Sequence, residues 1–140
     1  MTLVLRRLHL WLPPLLYMAV IFYFSSQSKP LPEMTVHVWD KALHAVEYGV
    51  LAILVCRAFV GDGVNGARAA LFAAIVACLY AASDEWHQSF VPMRSADVLD
   101  WIADTVGSIL GAAVPVFAAL LKRPLNRQRF PRASGNTRYF

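Results

Sequence analysis

Four long apolar runs constrain this chain more than any other feature: residues 8–24, 42–60, 68–83 and 98–121. A helix that crosses a bilayer needs roughly 20 mostly apolar residues, which these runs supply once the third is allowed its polar C-terminal turn. Inside lipid every backbone N–H and C=O must be paired within its own segment, so runs of this length read as helices. Composition agrees: 58% of residues are hydrophobic and only 16% charged, with a mean hydropathy of +0.49. Soluble domains run nearer half apolar and a quarter charged, so these values exclude a disordered, fibrous or disulfide-scaffold chain. The expected fold is all-α: a polytopic membrane protein with four transmembrane helices in a compact bundle. At 140 residues the chain is one domain, spanning 1–121, with a basic tail at 122–140. Cys56 and Cys78 lie inside apolar runs and read as packing thiols, not a disulfide.

Orientation follows from lysine and arginine. With the N-terminus inside, one side holds Arg6, Arg7, Arg57, Arg68 and six residues of the tail (Lys122, Arg123, Arg127, Arg129, Arg132, Arg138), ten of the 13. Lys29, Lys41 and Arg94 remain on the other. This positive-inside asymmetry predicts a plasma (inner) membrane protein with both termini cytoplasmic. The tail reads as a disordered strip lying on anionic lipid, worth up to about 1 kcal/mol per basic residue near the surface. Membrane lipids are thus expected partners and nucleic acid is not, because neither a stacking pattern nor a nucleic-acid fold accompanies the charge. Pro13 and Pro14 predict a bend or restart of the first helix near its cytoplasmic end. A cleaved signal peptide, with small residues at Ser26 and Ser28, is the rival reading of that run. The aromatic Phe22, Tyr23 and Phe24 and the two prolines argue against it.

Acidic residues gather on the opposite side. Of nine Asp and Glu only Asp62 belongs to the inner loop, whereas Glu33, Asp40, Glu47, Asp84, Glu85, Asp97, Asp100 and Asp104 fall at the outer ends. His37, His44 and His87 join them. At 100° per residue Asp40, His44 and Glu47 share an arc of about 60°, flanked by Lys41 and Tyr48. Asp84 and Gln88 are one turn apart above a stripe of Ala70, Ala73, Ala77 and Ala81. Asp97, Asp100 and Asp104 form a third face that continues as Gly107, Ser108 and Gly111. Small residues let membrane helices approach closely, so the polar faces are expected to converge inside the bundle. A charge near the bilayer centre costs about 2.5–3.5 kcal/mol on insertion scales, so Glu47 and Asp104 need partners or a watery cleft.

Two stretches resemble a known family. Asp40-Lys41-Ala42-Leu43-His44-Ala45-Val46-Glu47-Tyr48 is similar to the first signature of the VanZ-like membrane proteins. Ser83-Asp84-Glu85-Trp86-His87-Gln88, continuing through Phe90, Pro92, Arg94 and Asp97, resembles the second, followed by Asp100, Asp104, Gly107 and Gly111. The resemblance covers about residues 14–118. Met93 stands where that family commonly has glycine, which suggests a different turn, and Asp104 where it commonly has asparagine, which adds a potential charge. The resemblance implies a small multi-span protein of the bacterial cell envelope, in a family named for a member linked to resistance to the glycopeptide teicoplanin. It implies no settled reaction.

Each candidate residue has a chemical and a structural reading. Asp84, His44 and Glu47 are the catalytic candidates, since paired acids or an acid beside imidazole can shuttle protons. Glu85, about 100° round the helix from Asp84, is the weaker acid candidate. Arg94 is the anion clamp, with Gln88, Asp40, Lys41, Tyr48, Asp97, Asp100 and Asp104 as further binding candidates. Structurally, Arg94 would instead bridge to Asp97, Asp100 or Asp84, and His44 would be a hydrogen-bonded buried histidine. No cofactor is required. A divalent metal (Zn²⁺ or Mn²⁺) on His44, His87 and two or three carboxylates is the alternative, against which the lack of a paired-histidine motif speaks. The four tryptophans near segment ends read as interfacial anchors. The expected function is either an enzyme acting at the outer leaflet on a lipid-linked or peptidoglycan-type envelope molecule, or a non-catalytic permease or assembly factor. For the second, the polar cluster is a solute site or packing network. An envelope lipid or glycopeptide-related ligand is the expected partner.

Overall fold

The computed structural model describes residues 2–28 and 37–121. They form four α-helices with no strand among them: α1 (Leu3–Ser25), α2 (His37–Gly61), α3 (Gly66–Gln88) and α4 (Val98–Leu121). All four are long and apolar enough to cross a membrane, so the chain is a multi-pass membrane protein. The tail at 122–140, Lys29 and Glu33 lie outside the described residues, as do the side chains of His37 and Trp39.

Local chemistry sets where the helices start and turn. Thr2 Oγ1 accepts from the Leu5 amide at 3.4 Å, and Asn65 Oδ1 accepts from the Ala67 amide at 3.1 Å, each capping the helix that follows. Between α2 and α3, Gly63 has φ +92°, a left-handed conformation that glycine adopts without steric cost. The expected restart at Pro13 and Pro14 does not occur: α1 is one helix from Leu3 to Ser25, with both prolines inside it. Membrane helices tolerate proline because neighbouring groups and small backbone adjustments re-satisfy the freed carbonyls.

The bundle is built around small residues. Ala69, Ala73, Ala77 and Ala81 of α3 are wholly buried, as are Leu51, Ala52 and Cys56 of α2. Ile21 of α1, Tyr48 and Val55 of α2 and Ala112 of α4 complete this core. Large apolar side chains such as Val46, Leu79, Leu110 and Phe117 point outward, where lipid rather than water would meet them. Cys78 is half-buried with its Sγ 3.4 Å from Thr105 Oγ1, and neither cysteine is in a disulfide.

The tightest contact joins α2 to α4. A Cβ added at Gly107 would lie 2.0 Å from the Ala45 carbonyl oxygen, and one at Gly111 would lie 2.1 Å from that of Gly49. Four residues separate both members of each pair, so the helices run parallel with backbone against backbone. Successive helices reverse direction, which brings the C-terminal ends of α1 and α3 and the N-terminal ends of α2 and α4 to one end of the bundle. At the other end the Arg6 guanidinium donates to the Gly61 carbonyl, and Trp11 Nε1 donates to Asp62 at 2.8 Å.

Gly107→Ala should therefore destabilise the bundle by at least about 2 kcal/mol in detergent unfolding, because only backbone stands in the way of the new methyl group. Gly66→Ala, whose nearest neighbour would be a Val116 methyl at 4.0 Å, should stay within about 0.5 kcal/mol of the parent.

Candidate functional site

The α2 N-terminal turns present polar groups to two sides. Lys41 and His44 face α4, whereas Asp40, His44 and Glu47 border a cavity of about 430 Å³ between α1, α2 and the end of α3. His44 belongs to both.

On the α4 side a seam of ion pairs follows the glycine contact. Lys41 Nζ lies 2.7 Å from Asp97 Oδ2 and also bonds Asp100. Deeper, His44 Nδ1 lies 3.1 Å from Asp104 Oδ1, and Asp104 is 1% exposed. Asp97 sits just before α4, where its Oδ1 accepts from the Leu99 amide at 2.8 Å and caps the helix. Its own amide donates to Glu85 Oε2 at 2.8 Å, tying the loop to α3. Glu85 thus faces α4, and the rotation that sets it apart from Asp84 is what gives it this partner.

On the cavity side the groups form a relay. Arg94 Nη1 donates to Gln88 Oε1 at 3.1 Å, and Gln88 Nε2 donates to Asp84 Oδ2 at 3.0 Å. The guanidinium also donates to the Gln27 carbonyl (3.0 Å) and the Phe24 carbonyl (3.4 Å). Those carbonyls belong to the C-terminal end of α1, where a cation complements the helix dipole. The expected bridge from Arg94 to Asp97, Asp100 or Asp84 is absent: among the described residues no carboxylate lies within ion-pair distance of it. Lys41 occupies Asp97 and Asp100 instead, and Asp84 is reached only through Gln88. Two buried oxygens of residues lining this cavity, Asp84 Oδ1 and Ser25 Oγ, have no hydrogen-bond partner among the described residues. Met93 itself takes the left-handed conformation (φ +64°) that a glycine would supply, so the loop keeps a glycine-type turn with methionine in it.

The structure gathers Asp40, His44, Glu47, Asp84, Gln88 and Arg94 around the cavity. It places Lys41, Asp97, Asp100 and Asp104 in the seam, and Tyr48 in the core with its hydroxyl unpartnered. His44 and His87 are not brought together. His87 Nε2 pairs with Ser26 Oγ at 3.1 Å and its ring stacks on Phe22 at 4.6 Å, facing α1. Ser25 and the Phe24 and Gln27 carbonyls were not legible as site groups; two serines closing an apolar run were the only signal.

These features define a four-span helical membrane protein with a polar site at one end of the bundle. The VanZ/LLP1 family model matches residues 9–120, and the chain belongs to that family. No curated protein and no solved structure gives a significant match.

The Lys41 hydrogen bond, and after it the Leu99 amide, holds the Asp97 carboxyl below its ordinary value of 3.8. A carboxylate depressed by folding contributes stability that is complete above its unfolded pKa and is lost as pH falls through the folded one. The melting temperature of Asp97→Asn should therefore lie below the parent's near neutrality. The gap should close as pH is lowered from about 5 to about 2.

Proposed function

We propose that the protein acts at the outer face of the plasma membrane on a lipid-linked envelope molecule carrying a phosphate or carboxylate. The observation that carries this reading is the two-sided character of the 430 Å³ cavity. Its lining is part polar (Asp40, His44, Glu47, Asp84 and Arg94) and part apolar (Tyr17, Ile21, Leu43 and Val46). Val46 is 65% and Leu43 49% exposed on the lipid-facing surface, so the cavity opens sideways toward acyl chains. Such a cleft suits an amphiphile whose anionic head meets Arg94 and whose chain leaves between α1 and α2.

Asp84 is then the group that takes or gives a proton. Gln88 fixes one of its oxygens, and the other is buried with no partner among the described residues. This reading requires no cofactor. The concentration of lysine and arginine at the opposite end supports an outward orientation, and glycopeptide resistance in the family fits an envelope substrate.

The ion-paired seam favours a second reading, in which the protein is a non-catalytic assembly factor and the charges hold the bundle together. A permease is less well supported, because the inner halves of the helices are lined by Leu51, Ala52, Val55, Ala73 and Ala77 and offer no polar path.

Asp84→Asn and Arg94→Gln decide between enzyme and assembly factor. Both should reach the membrane at parental abundance and melt within a few degrees of the parent, yet abolish whatever glycopeptide-tolerance or envelope phenotype the parent confers on a sensitive host. The parental phenotype at equal abundance would defeat the proposal, and loss of folding would favour the structural reading. Orientation is tested separately: in a Cys56→Ala, Cys78→Ala background, Ser95→Cys should react with an impermeant maleimide in intact cells. Reaction only after permeabilisation would reverse the topology.

A further inference from the structure

On the far side of His44 from the cavity lies a buried cluster whose two carboxylates the proposed activity leaves unused. His44, Glu85 and Asp104 come one each from α2, α3 and α4, and a ligand-capable atom of each lies within 4.8 Å of the others. Donors on one tetrahedral ion stand roughly 3–4 Å apart, so the three side chains need only small rotations to share a metal.

The partners within the cluster do not balance. Glu85 is 7% exposed; its Oε2 accepts from the Asp97 amide, and its Oε1 has no partner among the described residues. One helical turn below His44 and Asp104, the hydroxyls of Tyr48 and Ser108 are buried and likewise without partners among the described residues. Two carboxylates here face one imidazole, and Lys41, the one lysine among the described residues, is committed to Asp97 and Asp100. An unpaired buried anion is costly, and a divalent cation would balance two of them at once.

We propose that His44, Glu85 and Asp104 bind one divalent transition-metal ion, Zn²⁺ or Mn²⁺. One imidazole and two carboxylates form a donor set suited to either ion, and three protein ligands leave room for water. Binding exchanges the proton between His44 and Asp104 for the metal and releases it to solvent. The amide of Asp97 holds the Glu85 carboxylate in place, as outer partners of metal ligands commonly do. A second grouping, Asp40, His44 and Asp100, shares the histidine. It is the poorer site, because Asp100 would have to give up Lys41 and all three residues are only half-buried. The proposal does not depend on what the cavity binds.

The test uses the full-length protein in detergent micelles, stripped with chelator and desalted. Reloaded with ZnCl₂ or MnCl₂ and desalted again, it should retain about one ion per chain by mass spectrometry and melt several degrees higher than the stripped form. Glu85→Gln and Asp104→Asn should bind at least about tenfold more weakly, and Asp40→Asn should bind like the parent. On the Mn²⁺-loaded parent, electron spin-echo modulation should report a single imidazole nitrogen. If Glu85→Gln or Asp104→Asn fails to fold, that readout still tests for a histidine ligand, and Asp40→Asn, outside the cluster, separates it from the grouping that shares His44. The proposal is overturned if the parent retains neither ion, if no nitrogen modulation is seen, or if folded Glu85→Gln and Asp104→Asn keep parental affinity. Loss of binding in Asp40→Asn alone would move the ion to the other grouping and equally overturn it.

Discussion

Lipid offers no hydrogen bonds, and that constraint organises this molecule. Each polar side chain brought within the bundle must meet another, or a cavity that admits water, because a lone charge at the bilayer centre costs about 2.5–3.5 kcal/mol. The chain meets the demand by collecting its acids at one end and threading cations among them. Lys41 takes Asp97 and Asp100, His44 takes Asp104, and Arg94 reaches Asp84 through Gln88. Where one end of the bundle is charged, the halves below it can be alanine, glycine and leucine. Close packing of those small residues is what brings the charged ends within reach of one another.

This division separates two kinds of polar group. The seam between α2 and α4 is closed in its upper part, with each charge answered by a neighbour. The cavity between α1 and α2 is not: Asp84 Oδ1 and Ser25 Oγ have no partner, and Arg94 faces carbonyls and an amide rather than an acid. Groups already satisfied by one another hold the fold, and groups left over can recognise something else. His44 stands at the junction, with Asp104 behind it and the cavity in front.

How much of this could be read from the sequence depends on whether a feature lives within one helix or between two. The 100° step places Asp40, His44 and Glu47 on one face without further information, and they do share the site. The Gly107 and Gly111 spacing announces a close helix contact, and one is present. Periodicity says nothing, however, about how far one helix is rotated against the next. For that reason Glu85, the weaker acid candidate for pointing away from Asp84, proves to face α4, and His87 proves to face α1 rather than His44. Arg94 illustrates a second limit. With so many acids around it a carboxylate partner is the natural expectation, but the backbone end of a different helix takes the guanidinium, and carbonyls carry no signature in a sequence.

The glycine contact also fixes how the molecule can move. Because the carbonyls of Ala45 and Gly49 occupy the space of absent side chains, α2 and α4 fit in one register. Sliding α4 by one turn one way would set Ala103 against Ala45, and the other way would set Pro115 against Gly49. Both bring side-chain atoms to a carbonyl that leaves room for none. A piston stroke along this pair is therefore forbidden in steps of a turn, and rotation would break the ion pairs above it. The pair behaves as a fixed jaw. Any widening of the cavity falls to α1, whose prolines interrupt its hydrogen-bond ladder and whose outer surface is mostly open to lipid.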